Sequence, residues 1–439
     1  MKKLFSILSI AAALLFVAAC EEPEKEKLPQ PVDITVQLTF EDAPLAIQGI
    51  KVALVHSAGT ASYEAETDAA GKAAFSVLPG VYNASATYKT VEDGVRFAYN
   101  GSNGVAFAMG VDGPSATEFK VPMQRVESQQ IIIKELYSTG CQNSAAGAGK
   151  TYSNDAYVIL YNNSEFEADA SDIVFGLMAP SNAHATNKFY VDNVLVYDEE
   201  DWIPAYSALW WFTSTVKIPA YSQIVVAIFG AIDHTATVVE SVNLSNASYY
   251  WMSNGELPNF KNAKYAASEN IPAANYLTGV QINQGNAWVV SNNSPGFYIG
   301  KMAAAEAKAL GEDTGAYDTT QGSSAAMAVA KFPKANVVDA VDVWSAANVA
   351  KSLARFSADI NTGYVTITNN QGHSIYRNVD KEATEALEEN ADKLVRGYAG
   401  DPSGIDAEAS IAAGAHIIFS DTNDSGKDFH EREVASLKK

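Results

Sequence analysis

The stretch Val32-Asp33-Ile34-Thr35-Val36-Gln37-Leu38-Thr39-Phe40 decides the fold class. Its apolar residues alternate with Asp, Thr and Gln, the period of a strand that buries one face and wets the other. Ile50, Val52 and Leu54 repeat the pattern, and Tyr82, Ala84, Ala86 and Tyr88 do so against Asn83, Ser85, Thr87 and Lys89. Short alternating strands with Gly and Pro between them predict a β-sandwich.

Two turns punctuate this region. In Thr67-Asp68-Ala69-Ala70-Gly71-Lys72-Ala73-Ala74-Phe75, Asp68 can bond its own backbone and Gly71 can take positive φ; Pro79-Gly80-Val81-Tyr82 makes the next turn. Together the T-D-x-x-G-x-x-x-F and P-G-x-Y patterns resemble the carboxypeptidase regulatory-like, or prealbumin-like, sandwich over residues 32–126. The resemblance implies a rigid spacer or docking module without an active site of its own.

Further along, Ile131-Ile132-Ile133-Lys134-Glu135-Leu136-Tyr137 is a β-branched apolar run, and Tyr157-Val158-Ile159-Leu160-Tyr161-Asn162-Asn163 is a strand closing on an Asn-rich turn. A third strand lies in Ile218-Pro219-Ala220-Tyr221-Ser222-Gln223-Ile224-Val225-Val226-Ala227. This order resembles the lamin-tail domain, an immunoglobulin-like sandwich. Phe332-Pro333, Val337-Val338-Asp339-Ala340-Val341-Asp342, Ser374-Ile375-Tyr376-Arg377 and Asp421 through Phe429 resemble its closing elements, and Tyr364–Ile367 and Ile417–Phe419 read as short strands. About 300 residues follow Ile131, several times what one small sandwich needs. The expected architecture is therefore mainly β: two consecutive sandwiches, prealbumin-like over 32–126 and enlarged lamin-tail-like over 127–439, the latter with helical insertions. Alanine-rich Met302–Leu310 is one predicted helix. Asp380–Tyr398 is another, with Ala383, Leu387, Ala391, Leu394 and Tyr398 on one face.

At the other end, Lys2 and Lys3 precede an apolar stretch from Leu4 to Ala19, too short to span a bilayer comfortably and shaped like a secretory signal peptide over 1–19. It closes on Val17-Ala18-Ala19-Cys20, which resembles the lipobox of bacterial lipoproteins and implies lipidation of Cys20. Residues 20–31, with Glu21, Glu22, Glu24 and Glu26 among Lys and Pro, read as an extended tether. Acidic residues directly after the lipidated Cys resemble the surface-export signals of Bacteroidota-type lipoproteins. The expected location is the outer membrane, lipid-anchored and facing outward, with the periplasmic face as the alternative. With Cys20 acylated, Cys141 is the only remaining thiol, so no intramolecular disulfide is available.

Composition narrows the partners. Against 51 Asp and Glu stand 30 Lys and Arg, a formal charge of −21 on 439 residues, which phosphate backbones would repel. Nucleic acid is excluded as a ligand class. Gly147-Ala148-Gly149-Lys150-Thr151 invites a phosphate-loop reading, yet Ser144 stands where the first glycine is needed and the residues after Thr151 read as a strand. Asp421-Thr422-Asn423-Asp424-Ser425-Gly426 offers alternating oxygen ligands, but Arg432 occupies the place of the closing bidentate acid, which favours a polar turn. The six His show no helical zinc spacing, and no G-x-S-x-G elbow occurs. No catalytic residue, metal ligand or cofactor is assigned, and the chain is expected not to be an enzyme.

The aromatic residues remain. Trp202, Tyr206, Trp210, Trp211 and Phe212 lie close together, followed by Tyr249, Tyr250, Trp251 and Trp288. Rings with polar tips can stack on sugars or anchor an interface, so Trp202, Tyr206, Trp210, Trp211, Tyr250 and Trp251 are the candidate ligand-binding set. Trp210 and Trp211 face opposite sides of an extended chain, which predicts one of them outside the core. The expected function is a surface-exposed, lipid-anchored binding protein for a small molecule or glycan, in nutrient capture or accessory to a TonB-dependent receptor. Its alternatives are an adhesive or structural surface protein and a hydrolase with its site in the insertions.

Overall fold

The computed structural model describes residues 30–438 apart from Thr60, Asn193, Glu256, Pro258, Gln284 and Val289. The expected signal peptide, Cys20 and all but the last two residues of the tether lie outside the described residues. The chain is mainly β. It divides into two compact units, one running to Lys89 and including Ala98–Val126, the other made of Thr90–Phe97 and Glu127–Lys439.

In the first unit Val32–Phe40 pairs parallel with Glu118–Gln129 and antiparallel with Lys72–Val77. The alternation read from the sequence holds: Ile34, Val36 and Leu38 are buried with Val52, Leu54, Phe75, Tyr82, Val105 and Val121, while Asp33 is exposed. Each such side chain taken from water contributes about 1.5–3 kcal/mol. Asp68 Oδ1 accepts the Ala70 and Lys72 N–H groups, both at 2.9 Å. That turn leaves Gly71 at φ +76°, where a Cβ would stand 2.0 Å from the Leu45 carbonyl oxygen, so only glycine fits. The Tyr82 hydroxyl closes the next turn on the Leu78 carbonyl at 2.7 Å.

The second unit is organised by a twelve-stranded sheet. Its order is Val365–Ile367, Val337–Ser345, Gly296–Lys301, Ile173–Leu177, Ala208–Phe212, Tyr276–Gln281, Tyr250–Met252, Gln223–Ala227, Tyr157–Asn162, Ile131–Tyr137, Ser374–Arg377 and Phe429–Arg432. Most neighbours are antiparallel; Tyr250–Met252 runs parallel to both of its neighbours, and Val365–Ile367 parallel to Val337–Ser345. Ile131–Tyr137, Tyr157–Asn162, Ile173–Leu177 and Ala208–Phe212 are buried at every position. Strands with no wet face need cover on both sides, and these have it. One face carries the main core, including Tyr157, Ile159, Phe175, Trp210, Phe297 and Val341. Along part of the other face, Val174, Leu209, Trp211, Val280 and Tyr298 pack under Phe189, Tyr197, Ile203, Ala307 and Phe332 of the insertions. Further along that other face, Ile132, Tyr161 and Tyr376 pack under Val379, Ile405, Ile417 and Phe419.

The sheet curls until strands from its two ends lie together, Val365–Ile367 against Phe429–Arg432 and Val337–Ser345 against Ile131–Tyr137. Charged side chains bridge this seam. The Ile133 N–H donates to Asp339 Oδ2 at 2.6 Å, and Arg377 Nε donates to the Ile133 carbonyl at 2.8 Å. Arg377 also donates to Asp339 through Nη2, and through Nη1 to the Ser420 carbonyl at 2.8 Å and Asp421 at 3.3 Å. Both backbone groups of Ile133 are thus satisfied by side chains, as burial demands. Burial pushes the Asp339 carboxyl up from its ordinary range, and the facing Arg377 guanidinium pulls against it. A second fully buried arginine, Arg355, donates to Asp342 at 2.6 Å and to the Ser294 and Pro180 carbonyls at 2.9 and 3.1 Å, tying the Val337–Ser345 strand to two distant loops.

The insertions depart from the expected helices in one place. Ala304–Glu312 forms a helix, α1, as predicted for the alanine-rich segment. The helix expected over 380–398 is instead one turn, Lys381–Glu385, followed by a 3-10 turn, Glu388–Asn390, and irregular chain. Tertiary bonds win here: Thr384 Oγ1 exchanges hydrogen bonds with the Ile418 N–H and C=O, and the Asn390 amide donates to the Thr384 and His416 carbonyls. Leu394 packs against the Ile405 and Ile417 core, but Ala391 is exposed, so no continuous apolar face forms.

Candidate functional site

The six candidate aromatics do not gather on one surface. Trp210 and Trp251 lie in the main core, where Trp210 meets Phe260, Tyr265 and Trp288, and Tyr250 packs there half-buried. Trp202 and Trp211 lie on the opposite face of the sheet, in the core beneath the insertions, with Tyr206 partly buried beside them. The expectation that one of Trp210 and Trp211 leaves the core is corrected: they do face opposite sides, and the insertions bury the second side as well. Phe212 and Trp288 are also core, and Lys331 Nζ sits 4.8 Å from the Trp202 ring centroid.

Trp211 nevertheless reaches a cavity. A groove of about 490 Å³ runs between α1 and the sheet, floored by Trp211, Thr278 and Val280 and rimmed by Leu257 and Asn259 on one side and Lys308 and Glu312 on the other. That volume lies within the range of small-molecule sites. The floor is set by register: Trp211 stands opposite Thr278 and Leu209 opposite Val280 in the antiparallel pair. The roof is set by a glycine. A Cβ on Gly311 would stand 2.3 Å from Val280 Cγ1, so only glycine lets α1 lie this close to the strand. Lys308 and Glu312, one helical turn apart, pair at 3.8 Å and leave the rim without net charge. The Gln281 amide is held by donating to the Asn283 and Gly285 carbonyls at 2.6 and 2.9 Å.

Beside it, walled by Gln281's neighbours Ile282 and Asn283 together with Thr314, Tyr317, Ser323 and Ala325, is a second cavity of about 300 Å³. A third, of about 530 Å³, is different in kind. Glu200, Asp201 and Asp359 surround Lys334, whose Nζ donates to the Asp198 carbonyl and lies 3.7 Å from Asp359.

The residues weighed for chemistry are engaged elsewhere. Cys141 is buried beside Asp155, and burial followed by that carboxylate pushes its thiol up to about 12. His234 bonds the Tyr152 hydroxyl at 2.7 Å and the Gly230 carbonyl at 2.9 Å, and burial lowers its pKa. Gly147–Thr151 leads into the two-residue strand Thr151–Tyr152, paired with Cys141–Gln142, with no helix beginning there. In the Asp421–Gly426 turn, Asp421 turns to Arg377 and Asp424 caps the short helix Ser425–Asp428. Among the described residues, no group of three or more His, Cys, Asp or Glu is arranged to hold a metal ion, and no helix is long and apolar enough to cross a membrane.

Residues 221–395 match the family model described as a protein of unknown function, DUF4876. The match includes α1, the Tyr276–Gln281 strand and the walls of both neutral cavities except Trp211. The crystal structure of a DUF4876 family protein from Bacteroides thetaiotaomicron VPI-5482 superposes with a TM-score of 0.58 at 17% identity, covering 92% of this chain and 96% of that one. The two share a fold. A DUF3823 family protein from Parabacteroides merdae aligns over 62% of this chain and 92% of its own at 10% identity, and its TM-score of 0.18 is too low to bear on the fold. The same holds for the major pilin subunit of Bacillus cereus, with a TM-score of 0.19 at 13% identity over 78% of this chain and 100% of that one. No curated protein matches the sequence.

Proposed function

We propose that the chain is a lipid-anchored binding protein displayed on the outer membrane of a Bacteroidota-type cell, and that the groove under α1 captures a neutral, hydroxyl-rich small molecule or glycan. The prealbumin-like unit serves as the spacer and the enlarged lamin-tail-like unit carries the site, in nutrient capture or as an accessory of a TonB-dependent receptor. One observation carries the choice of ligand. On a chain with a formal charge of −21, this groove has no net charge and joins an indole floor to amide and hydroxyl groups. Amides and hydroxyls both donate and accept hydrogen bonds, as a sugar's hydroxyls require, and the small part of the Trp211 indole that reaches the groove adds apolar surface. A cation would prefer the acidic cavity around Glu200 and Asp201.

The anchoring half rests on Val17-Ala18-Ala19-Cys20 and the acidic tether that follows. The site half is tested on the protein without its signal peptide, by a glycan array followed by calorimetry. The wild type should bind neutral glycans, and Thr278→Arg, which fills the groove from a half-buried strand position, should reduce affinity at least tenfold without unfolding the protein. Unchanged binding by Thr278→Arg, or no glycan bound by the wild type, would overturn the assignment.

A further inference from the structure

The groove does not end at α1. Val280 belongs to the first cavity and Ile282 to the second, two residues apart and both packed in the same outer core. Extended chain advances about 3.3 Å per residue, so these two lining residues lie within about 7 Å of each other. Glu312 of the helix rims the first cavity and Thr314, just past the helix end, walls the second. Tyr317, another wall of the second cavity, donates its hydroxyl to the Gly311 carbonyl at 2.6 Å, which fastens that wall to the helix roofing the first. Gly311, pressed on Val280 of the first cavity and bonded to Tyr317 of the second, therefore links the two.

The second cavity has the same chemistry as the first without its ion pair. Thr314, Ser323 and Asn283 supply neutral hydroxyl and amide groups, and Ile282, Ala325 and Ala328 supply apolar surface. Asn283 is 8% exposed, and its Nδ2 has no hydrogen-bond partner among the described residues. A buried amide left unpaired is costly, and this Nδ2 is itself shut off from solvent, so the side chain must turn into the cavity to meet an acceptor.

We infer that the two cavities are adjoining subsites of one binding site wrapped around the C-terminal end of α1, so that the ligand is a neutral oligosaccharide of at least two sugar units. This rests on the glycan reading of the first groove. The second subsite adds contacts only for chains long enough to reach it, and the Asn283 side chain turns its unpartnered amide toward a ligand oxygen there.

The test is calorimetric titration of the mature protein with unbranched gluco-, manno- and xylo-oligosaccharides of one to four units. In the series that binds, affinity should rise at least tenfold between one unit and two or three, then level off. Ala325→Trp, at an exposed position on the second cavity, should remove that rise and leave the single-sugar affinity unchanged. Asn283→Leu should do the same while leaving the melting temperature equal or higher, because no hydrogen bond of Nδ2 is lost. Equal affinity for one unit and for longer chains, or a length dependence untouched by both variants, would overturn the second subsite and leave the first groove standing. No binding at any length would overturn both.

Discussion

Replacing Arg377 by Met tests whether the seam of the large sheet is held by charge. The substitution keeps an unbranched apolar stem and deletes the guanidinium, with its bonds to the Ile133 and Ser420 carbonyls and to the Asp339 and Asp421 carboxylates. Those two carboxylates stay buried with no cation facing them, keeping only backbone N–H donors, Ile133 and Ala340 to Asp339 and Gln129 to Asp421. Removing one partner of a buried pair costs about 3–5 kcal/mol, a large share of the roughly 5–15 kcal/mol by which domains are stable. The pH dependence supplies a sharper signature. Burial already raises the pKa values of Asp339 and Asp421, and Arg377 is what restrains them. Without it their folded pKa values climb further, so each binds a proton in the folded state that it releases on unfolding. Stability of the variant then falls as pH rises, by up to about 1.4 kcal/mol per pH unit for each carboxyl. Urea unfolding at pH 5 and pH 8 should therefore show a larger deficit at pH 8, and adding Asp339→Asn should recover part of it. A variant within about 0.5 kcal/mol of wild type at both pH values would refute the role given to the network.

Three further outcomes follow from particular contacts. Gly311→Ala should destabilise by about 1–3 kcal/mol through overpacking against Val280, although alanine is the better helix former, and should weaken glycan binding; a gain in melting temperature would contradict the contact. Cys141 should resist a thiol reagent in the native protein and react once unfolded, because it is fully buried with a raised pKa; fast native labelling would contradict its place in the core. Burial lowers the pKa of His430, so it remains neutral in the fold below the unfolded value of about 6.5. Its contribution to stability is then present above pH 6.5 and lost on acidification, and the stability of wild type relative to His430→Gln should shrink between pH 7 and pH 5; a constant difference would contradict the burial effect.

How much of this was legible in the sequence follows from what alternation can and cannot say. Val32–Phe40 shows its dry face directly, because its other face meets water. The run Tyr157–Asn162 announces a strand but not what covers it, and the opposite faces of Trp210 and Trp211 likewise say nothing of what lies over each. Trp211 therefore read as a candidate for exposure until the insertions were seen to lie over it. Asp380–Tyr398 has helical spacing, yet the buried bonds of Thr384 and Asn390 to the 416–418 segment outweigh a marginal helix. The groove was not legible at all. Its walls come from positions 211, 259, 278 and 312, which only the sheet order brings together, and Gly311 carries no motif to mark it.

The most direct test of capture at this site is hydrogen exchange of the mature protein with and without a saturating neutral oligosaccharide selected by the glycan array. Binding in the groove predicts added protection confined to the Tyr276–Gln281 strand, to α1 and to residues 313–328. Protection appearing in the first unit, or around Glu200 and Asp201 instead, would contradict it.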